Sequence, residues 1–202
     1  RLYADTMILV VPAASPIKSV AELVDKLKAN PGSVSWGGGS KGSTDHILAG
    51  LIAKSAGIDP RRINYVPLQG GGEASAAILG GHVTVGIAGV SEFKSFVQSG
   101  KMRALAVSSA TPVESIRTLK EQGLPVEIYN WRGVYGAPGI STDQRRALVA
   151  SVVKATESPA WKDTLTRNDW SPFLLTGDDF GSFVASESQR LGTILRELGV
   201  AR

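Results

Sequence analysis

Short apolar runs alternate with amphipathic stretches through the first half of the chain. Between the runs, apolar residues recur at helical spacing, as at Val20, Leu23, Val24 and Leu27. This alternation predicts an α/β fold with a parallel-type sheet and flanking helices. The runs predicted as strands are residues 7–11, 34–36, 63–68, 83–88 and 102–107.

After about residue 108 the pattern becomes mostly helical. Ser141 and Gln144 form a capping-box sequence, Ser158-Pro159 starts another helix, and Thr176 precedes a long apolar-faced one. A short helix is predicted over 116–122, and extended segments over 127–129 and 131–135. The later helices have apolar faces that need a partner. We therefore predict an α/β lobe over 8–108, with 1–7 and 109–202 forming a crossing segment and a helical part of another, incomplete lobe.

Composition narrows the class of protein. The 202 residues are 43% hydrophobic and 20% charged, as in ordinary folded proteins, and the chain has no cysteine. Thiol nucleophiles, disulfides and cysteine metal sites are therefore excluded. No apolar run approaches the roughly 20 residues of a membrane helix. The net charge of +4 can steer anions, but the arginine pairs 61–62 and 145–146 are isolated, so no nucleic-acid partner is expected.

Three glycine-rich loops follow predicted strands and open predicted helices. They cover residues 37–43, 70–73 and 89–92. Helix N-termini favour anions, and ligands of open α/β sheets bind at the carboxyl ends of the strands. Three loops at one edge predict an anion-binding site.

Two enzyme motifs also fit the first loop. Gly37, Gly39 and Gly42 satisfy the dinucleotide fingerprint, but the next strand ends in Gln69 without the acidic residue that the ribose requires. The residues around Ser40 also satisfy the nucleophile elbow of hydrolases. Neither His46, in the first helical turn, nor the other histidine is placed to act as its base. Both enzyme classes are disfavoured.

The polar residues of the first loop also allow structural roles. Ser40 and Thr44 carry hydroxyl donors that suit a ligand, whereas Ser43 or Thr44 could simply cap the helix. The Asp45 carboxylate would repel an anion, so we expect it to stabilise the helix start or orient His46. A protonated His46 could face an anion, although capping or core packing fits it equally well.

Several segments together resemble the receptors of tripartite tricarboxylate transporters, also called TctC or Bug receptors. The resemblance extends over essentially the whole chain from Met7, and the segment 130–133 followed by 137–140 resembles the tricarboxylate branch. The other segments that carry it are 37–46, 70–74, 78–83, 100–107 and 119–123.

The resemblance implies a type II periplasmic-binding fold of two lobes, and an N-terminal portion that this chain lacks. It also implies a periplasmic protein whose signal peptide is not in this chain. The partners implied are a small carboxylate and the membrane subunits of the transporter, with the receptor as a monomer and without cofactor or metal. The ligand contacts implied are Ser40, Gly42, Ser43, Thr44, Asp45, His46, Gly71, Gly72, Glu73, Gly89 and Ser91, with Arg132 as a possible carboxylate partner.

The function expected is therefore a non-enzymatic receptor for a citrate-like tricarboxylate or a dicarboxylate. A binding protein for an amino acid or an aromatic acid is the alternative ligand class. An α/β hydrolase or a dinucleotide-binding enzyme is the alternative of a different kind.

Overall fold

A computed structural model describes residues 1–201, except for the surroundings of Gly71. It divides the chain into two compact units. The larger unit comprises residues 6–129 and 190–202, and the smaller unit comprises 1–5 and 130–189. The prediction of a lobe over 8–108 is narrower than the larger unit, and the assignment of either unit to a receptor lobe stays a prediction.

The larger unit is built on a five-stranded sheet with helices on both faces. Its strand order is β3-β2-β4-β1-β5. The elements are β1 (Tyr3–Pro12), α1 (Val20–Ala29), β2 (Ser35–Gly38), α2 (Thr44–Ser55), β3 (Asn64–Pro67), α3 (Gly71–Leu79), β4 (Val85–Gly89), α4 (Val90–Gln98) and β5 (Met102–Val107). One-turn 3-10 helices cover Pro31–Ser33, Pro60–Arg62 and Lys120–Gln122.

The sheet is mixed, which corrects the prediction of a parallel one. Strand β2 is parallel to β3 and β4, but β1 runs antiparallel to both of its neighbours, β4 and β5. The apolar run of β1 reveals that the strand is buried on both faces. It carries no information on strand direction, because side chains alternate in the same way in either direction.

Two hydrophobic clusters cover the two faces of this sheet. Along β1, Met7, Leu9 and Val11 pack into one cluster, while Ile8 and Val10 pack into the other. Trp36 of β2 is fully buried in the first cluster. This double burial makes the sheet a rigid support for the loops at its edge.

The smaller unit contains mostly helix. Strands β6 (Tyr129–Arg132) and β7 (Trp170–Pro172) pair with β1. The first residues of β1, Tyr3 to Asp5, belong to this unit. Helix α5 (Thr142–Glu157) has the predicted Ser141 capping box, and α6 (Pro159–Arg167) begins at proline, as predicted. Helix α7 (Gly177–Glu197) contributes its first part to this unit.

The apolar face predicted for α5 is not buried in the described structure. None of its residues is classed as buried, and Leu148 is 52% exposed. The helix predicted over 116–122 is also shorter than expected, because only its last three residues are helical before Gly123. Among the described residues, no helix is both long and apolar enough to cross a membrane.

Candidate functional site

The three glycine loops leave one edge of the sheet, as predicted. Gly38 at the end of β2 lies opposite Pro67 of the parallel β3, and Gly37 lies opposite Gly86 of the parallel β4. The carboxyl ends of these three strands are therefore neighbours, and helices α2, α3 and α4 all begin there. This is the edge at which ligands of α/β folds bind.

The loop between β2 and α2 is fixed at its first residue by Asp45. The Gly39 N–H donates to Asp45 Oδ2 over 2.5 Å. Burial raises the pKa of the Asp45 carboxyl above its usual value, the Gly39 N–H opposes that rise, and the nearby Glu92 carboxylate adds to it. Asp45 thus stabilises the loop, whereas the roles expected for it were to stabilise the helix start or to orient His46.

His46 fixes the other end of the same loop. Gly42, which adopts a positive φ of 82°, donates its N–H to His46 Nδ1 over 3.0 Å. The imidazole is only 6% exposed, and burial together with the Lys41 charge lowers its pKa. Because Nδ1 accepts a hydrogen bond, the neutral ring carries its proton on Nε2. The protonated His46 considered from the sequence is therefore not the form that this geometry favours.

Tyr65 of β3 is a further residue of this network that the sequence analysis missed. Its hydroxyl donates to the Gly39 carbonyl over 2.9 Å, and its ring stacks on His46 with centroids 4.2 Å apart. Burial raises the pKa of the Tyr65 phenol, while the Ser43 hydroxyl beside it opposes the rise. No motif marks Tyr65, because its contact with the loop depends on the pairing of β2 with β3.

In the second and third loops a glutamate carboxylate also accepts a backbone N–H of the loop. Glu73, in the first turn of α3, accepts the backbone N–H of Gln69. Glu92, in the first turn of α4, accepts the N–H of Gly89 over 3.1 Å. Each of the three helices at this edge therefore turns one carboxylate back onto its own preceding loop, as in a capping box.

The remaining predicted ligand contacts lie along these loops. Ser40, Gly72 and Ser91 are exposed, while Gly42, Ser43 and Thr44 are half-buried and Gly89 is buried. The Ser43 N–H donates to the Ser40 carbonyl over 3.0 Å, which forms a tight turn. Gly71 begins α3, but its surroundings lie outside the described part of the structure.

Arg132 belongs to the smaller unit. It is exposed on β6, and its Nη1 donates to Asn130 Oδ1. Its neighbour Trp131 packs edge-on against Phe180 and Phe183, with centroids 5.9 and 5.3 Å away. Core packing therefore explains Trp131, and a local hydrogen bond to Asn130 occupies Arg132.

The geometry around Ser40 does not form a hydrolytic site. His46 Nδ1 is occupied by the Gly42 N–H, and the ring is stacked on Tyr65. In the described part of the chain, no group of three His, Cys, Asp or Glu residues could hold a metal ion.

Comparison with known proteins identifies the family. The family model described as "Tripartite tricarboxylate transporter family receptor" matches residues 1–200. The chain belongs to this family. The resemblance predicted from the sequence is thereby confirmed, and the family is one of receptors, in agreement with the expectation that the chain is not an enzyme.

Curated relatives of this receptor family match nearly all of the chain. The "UPF0065 protein in gbd 5'region" of Cupriavidus necator is 28% identical over 197 residues, which cover 96% of this chain and 59% of that protein. Protein BugT of Bordetella pertussis is 28% identical over 197 residues, which cover 96% of this chain and 60% of that protein. The chain thus spans about three fifths of the length of these relatives.

Several solved structures share the fold of this chain. A TctC solute-binding protein from Polaromonas, without ligand, is 26% identical with a TM-score of 0.79, over 98% of this chain and 68% of that one. "R. palustris Rpa4515 with adipate" is 24% identical with a TM-score of 0.83, over 99% and 67%. MatC from Rhodopseudomonas palustris, with malate, is 19% identical with a TM-score of 0.74, over 99% and 67%. The predicted periplasmic-binding fold class is confirmed, apart from the antiparallel β1.

Proposed function

We propose that this chain is the ligand-binding part of a periplasmic receptor that captures a small carboxylate and delivers it to the membrane subunits of a tripartite transporter. The observation that carries the proposal is the meeting of three glycine loops at one sheet edge in a chain of this receptor family. The receptor acts as a monomer and needs no cofactor.

The chemistry of this edge suits a carboxylate. Helices α2, α3 and α4 direct the positive ends of their dipoles and their first N–H groups toward it. The hydroxyls of Ser40, Ser43, Thr44 and Ser91 add neutral donors on the same loops. Donors of this kind stabilise an anion without the desolvation cost of a buried ion pair.

The carboxylates at the edge hold the loops and do not contact the ligand in this proposal. Asp45, Glu73 and Glu92 each accept a loop N–H with one carboxylate oxygen, which ties each side chain to its own loop. We therefore assign ligand contact to Ser40, Gly42, Ser43, Thr44, Gly71, Gly72, Gly89 and Ser91. Asp45, His46 and Glu73 are assigned to loop support, and the role of Arg132 as a carboxylate partner stays a prediction.

The ligand class that we favour is a dicarboxylate or a citrate-like tricarboxylate. Two proteins of the same fold are described with adipate and with malate, which are both dicarboxylates. Both proteins are less than 25% identical to this chain in sequence. They therefore indicate which compounds to test, but they do not identify the ligand of this chain. An amino acid or an aromatic acid belongs in the same panel.

A double substitution tests the site. Ser40→Ala with Thr44→Ala removes two hydroxyl donors from the first loop. We expect about a 10- to 100-fold loss of affinity, since each hydrogen bond to a charged ligand contributes about 1.5 kcal/mol or less in a solvated loop. Calorimetric titration with adipate, malate and citrate measures it.

The matched control is Ser151→Ala with Thr166→Ala. Both of these side chains are exposed on helices of the smaller unit, where each hydroxyl donates to a carbonyl of its own helix. The control should bind as the wild type does. Equal affinities in wild type, site variant and control would contradict the assignment of the first loop.

A further inference from the structure

Three side chains hold the loop between β2 and α2. They are Asp45, His46 and Tyr65, which we call the loop clamp. Asp45 and Tyr65 hold the two sides of one residue, because Gly39 donates its N–H to Asp45 and accepts at its carbonyl from Tyr65. With both polar groups engaged, the orientation of Gly39 is fixed.

The second anchor of the loop clamp is linked to the first. His46 accepts the N–H of Gly42, and its ring stacks on the Tyr65 ring at an interplanar angle of 23°. Gly39 and Gly42 bracket Ser40 and Lys41, so the anchors fix both ends of the segment that carries the Ser40 hydroxyl. Because the loop is already ordered, a ligand that binds to it does not have to supply the free energy for ordering it. That entropic cost would otherwise weaken binding.

We propose that Asp45, His46 and Tyr65 are positioning residues that hold the first glycine loop in its ligand-binding conformation, and that protonation of His46 at Nδ1 releases the loop. This inference rests on the proposed function for its ligand. It goes beyond that function by assigning preorganisation and acid sensitivity to residues that do not touch the ligand.

The acid sensitivity follows from the hydrogen bond at Nδ1. A protonated imidazole carries N–H groups at both nitrogens, so Nδ1 would then face the Gly42 N–H donor to donor. The charged and titratable groups around the ring are Lys41, Asp45 and Tyr65, together with Arg61, which is paired with Asp59. His46, Lys41, Arg61 and Tyr65 line a cavity of about 360 Å³.

Burial and Lys41 hold the pKa of His46 below its usual 6.5 in the folded protein. The stabilisation from the neutral ring is therefore complete above pH 6.5 and is lost as the pH falls from there through the folded-state pKa. Acid should loosen the loop over that interval.

The first arm of the test needs no ligand. Amide hydrogen exchange at Gly39 and Gly42 is followed by NMR from neutral pH to about pH 5, with each rate corrected for its intrinsic pH dependence. Tyr65→Phe removes the hydroxyl that donates to the Gly39 carbonyl and keeps the ring on His46, so we expect the Gly39 amide to lose about fivefold in protection, the equivalent of one hydrogen bond. Unchanged protection of Gly39 in this variant would overturn the role of Tyr65 in the clamp.

His46→Asn separates acid sensitivity from packing. The asparagine carbonyl oxygen can accept the Gly42 N–H in place of Nδ1, and it does not titrate. Wild-type Gly42 should lose protection in acid, and the variant should show no such step. A wild-type Gly42 whose protection does not change with pH would refute the acid release. If His46→Asn does not fold, this wild-type profile and Tyr65→Phe still decide.

The second arm measures binding of adipate, malate and citrate by calorimetry at the same pH values. We expect about fivefold weaker affinity in Tyr65→Phe, and an affinity that falls in acid for the wild type but not for His46→Asn. Equal wild-type and Tyr65→Phe affinities would refute the positioning role. If none of the three acids binds while the exchange results hold, the ligand class proposed above fails and the clamp is supported.

Discussion

Gly38 of β2 lies close to both α2 and β3. Its replacement by alanine would therefore crowd Asp45 and Tyr65 of the loop clamp. A Cβ at this position would lie 2.7 Å from Asp45 Cβ and 2.7 Å from the Tyr65 hydroxyl oxygen. Neither neighbour can move freely. Asp45 Cβ is fixed to the first turn of α2, and the hydroxyl is bonded to Gly39.

The cost of Gly38→Ala can be bounded from this geometry. Relief of two contacts of 2.7 Å requires α2 or the Tyr65 ring to shift, as in overpacked cores, which cost about 1–3 kcal/mol. For a chain of this length, each kcal/mol lowers Tm by about 2–4 °C. Because the shift displaces Asp45 or Tyr65, we also expect weaker carboxylate binding.

Thermal unfolding and calorimetric titration measure both effects. The control is Gly181→Ala in α7, where no atom lies within 4 Å of the new Cβ and alanine favours the helix by roughly 0.5–1 kcal/mol. The control should melt no lower than the wild type. A Gly38→Ala protein that melts within about 1 °C of the wild type, with unchanged affinity, would refute the reasoning.

Two further predictions concern stability. Leu198 is 7% exposed, and its side chain packs closely against Gly50 of α2. Replacing Leu198 with alanine should lower the free energy of unfolding by about 2–4 kcal/mol, as measured by urea unfolding. A loss below about 1 kcal/mol would contradict that packing. Burial raises the pKa of Asp45, so the free energy of unfolding of the wild type should fall relative to Asp45→Asn as pH rises from 3.8 through the folded-state pKa. A difference between these two proteins that is independent of pH would contradict it.

Much of the fold could be predicted because local patterns reflect burial. Strand β5 was predicted at its observed bounds, and the helix predicted to start at Ser158-Pro159 begins at Pro159. The direction of β1 could not be predicted, since it depends on which strands pair and not on any residue of the strand. The three-residue strand β7 was also missed, because it is too short for a period-2 pattern to be recognised.

The meeting of the three loops could be predicted from their positions after successive strands. The roles of their charged residues could only be seen in the structure. The resemblance implied that Asp45, His46 and Glu73 contact the ligand, although a structural role was also expected for Asp45 and left open for His46. In the structure each of the three side chains accepts a backbone N–H of its own loop. Tyr65 contacts Gly39 across 26 residues of sequence, and no spacing rule connects them.

The most direct test of the account is an NMR titration of the isotope-labelled protein with adipate, malate, citrate, an amino acid and an aromatic acid in turn. For at least one carboxylate, the account predicts saturable shifts concentrated in the backbone amides of residues 40–44, 70–72 and 89–91. Saturable shifts confined to other parts of the chain, or none with any compound of the panel, would contradict the claim that these three loops form a carboxylate site.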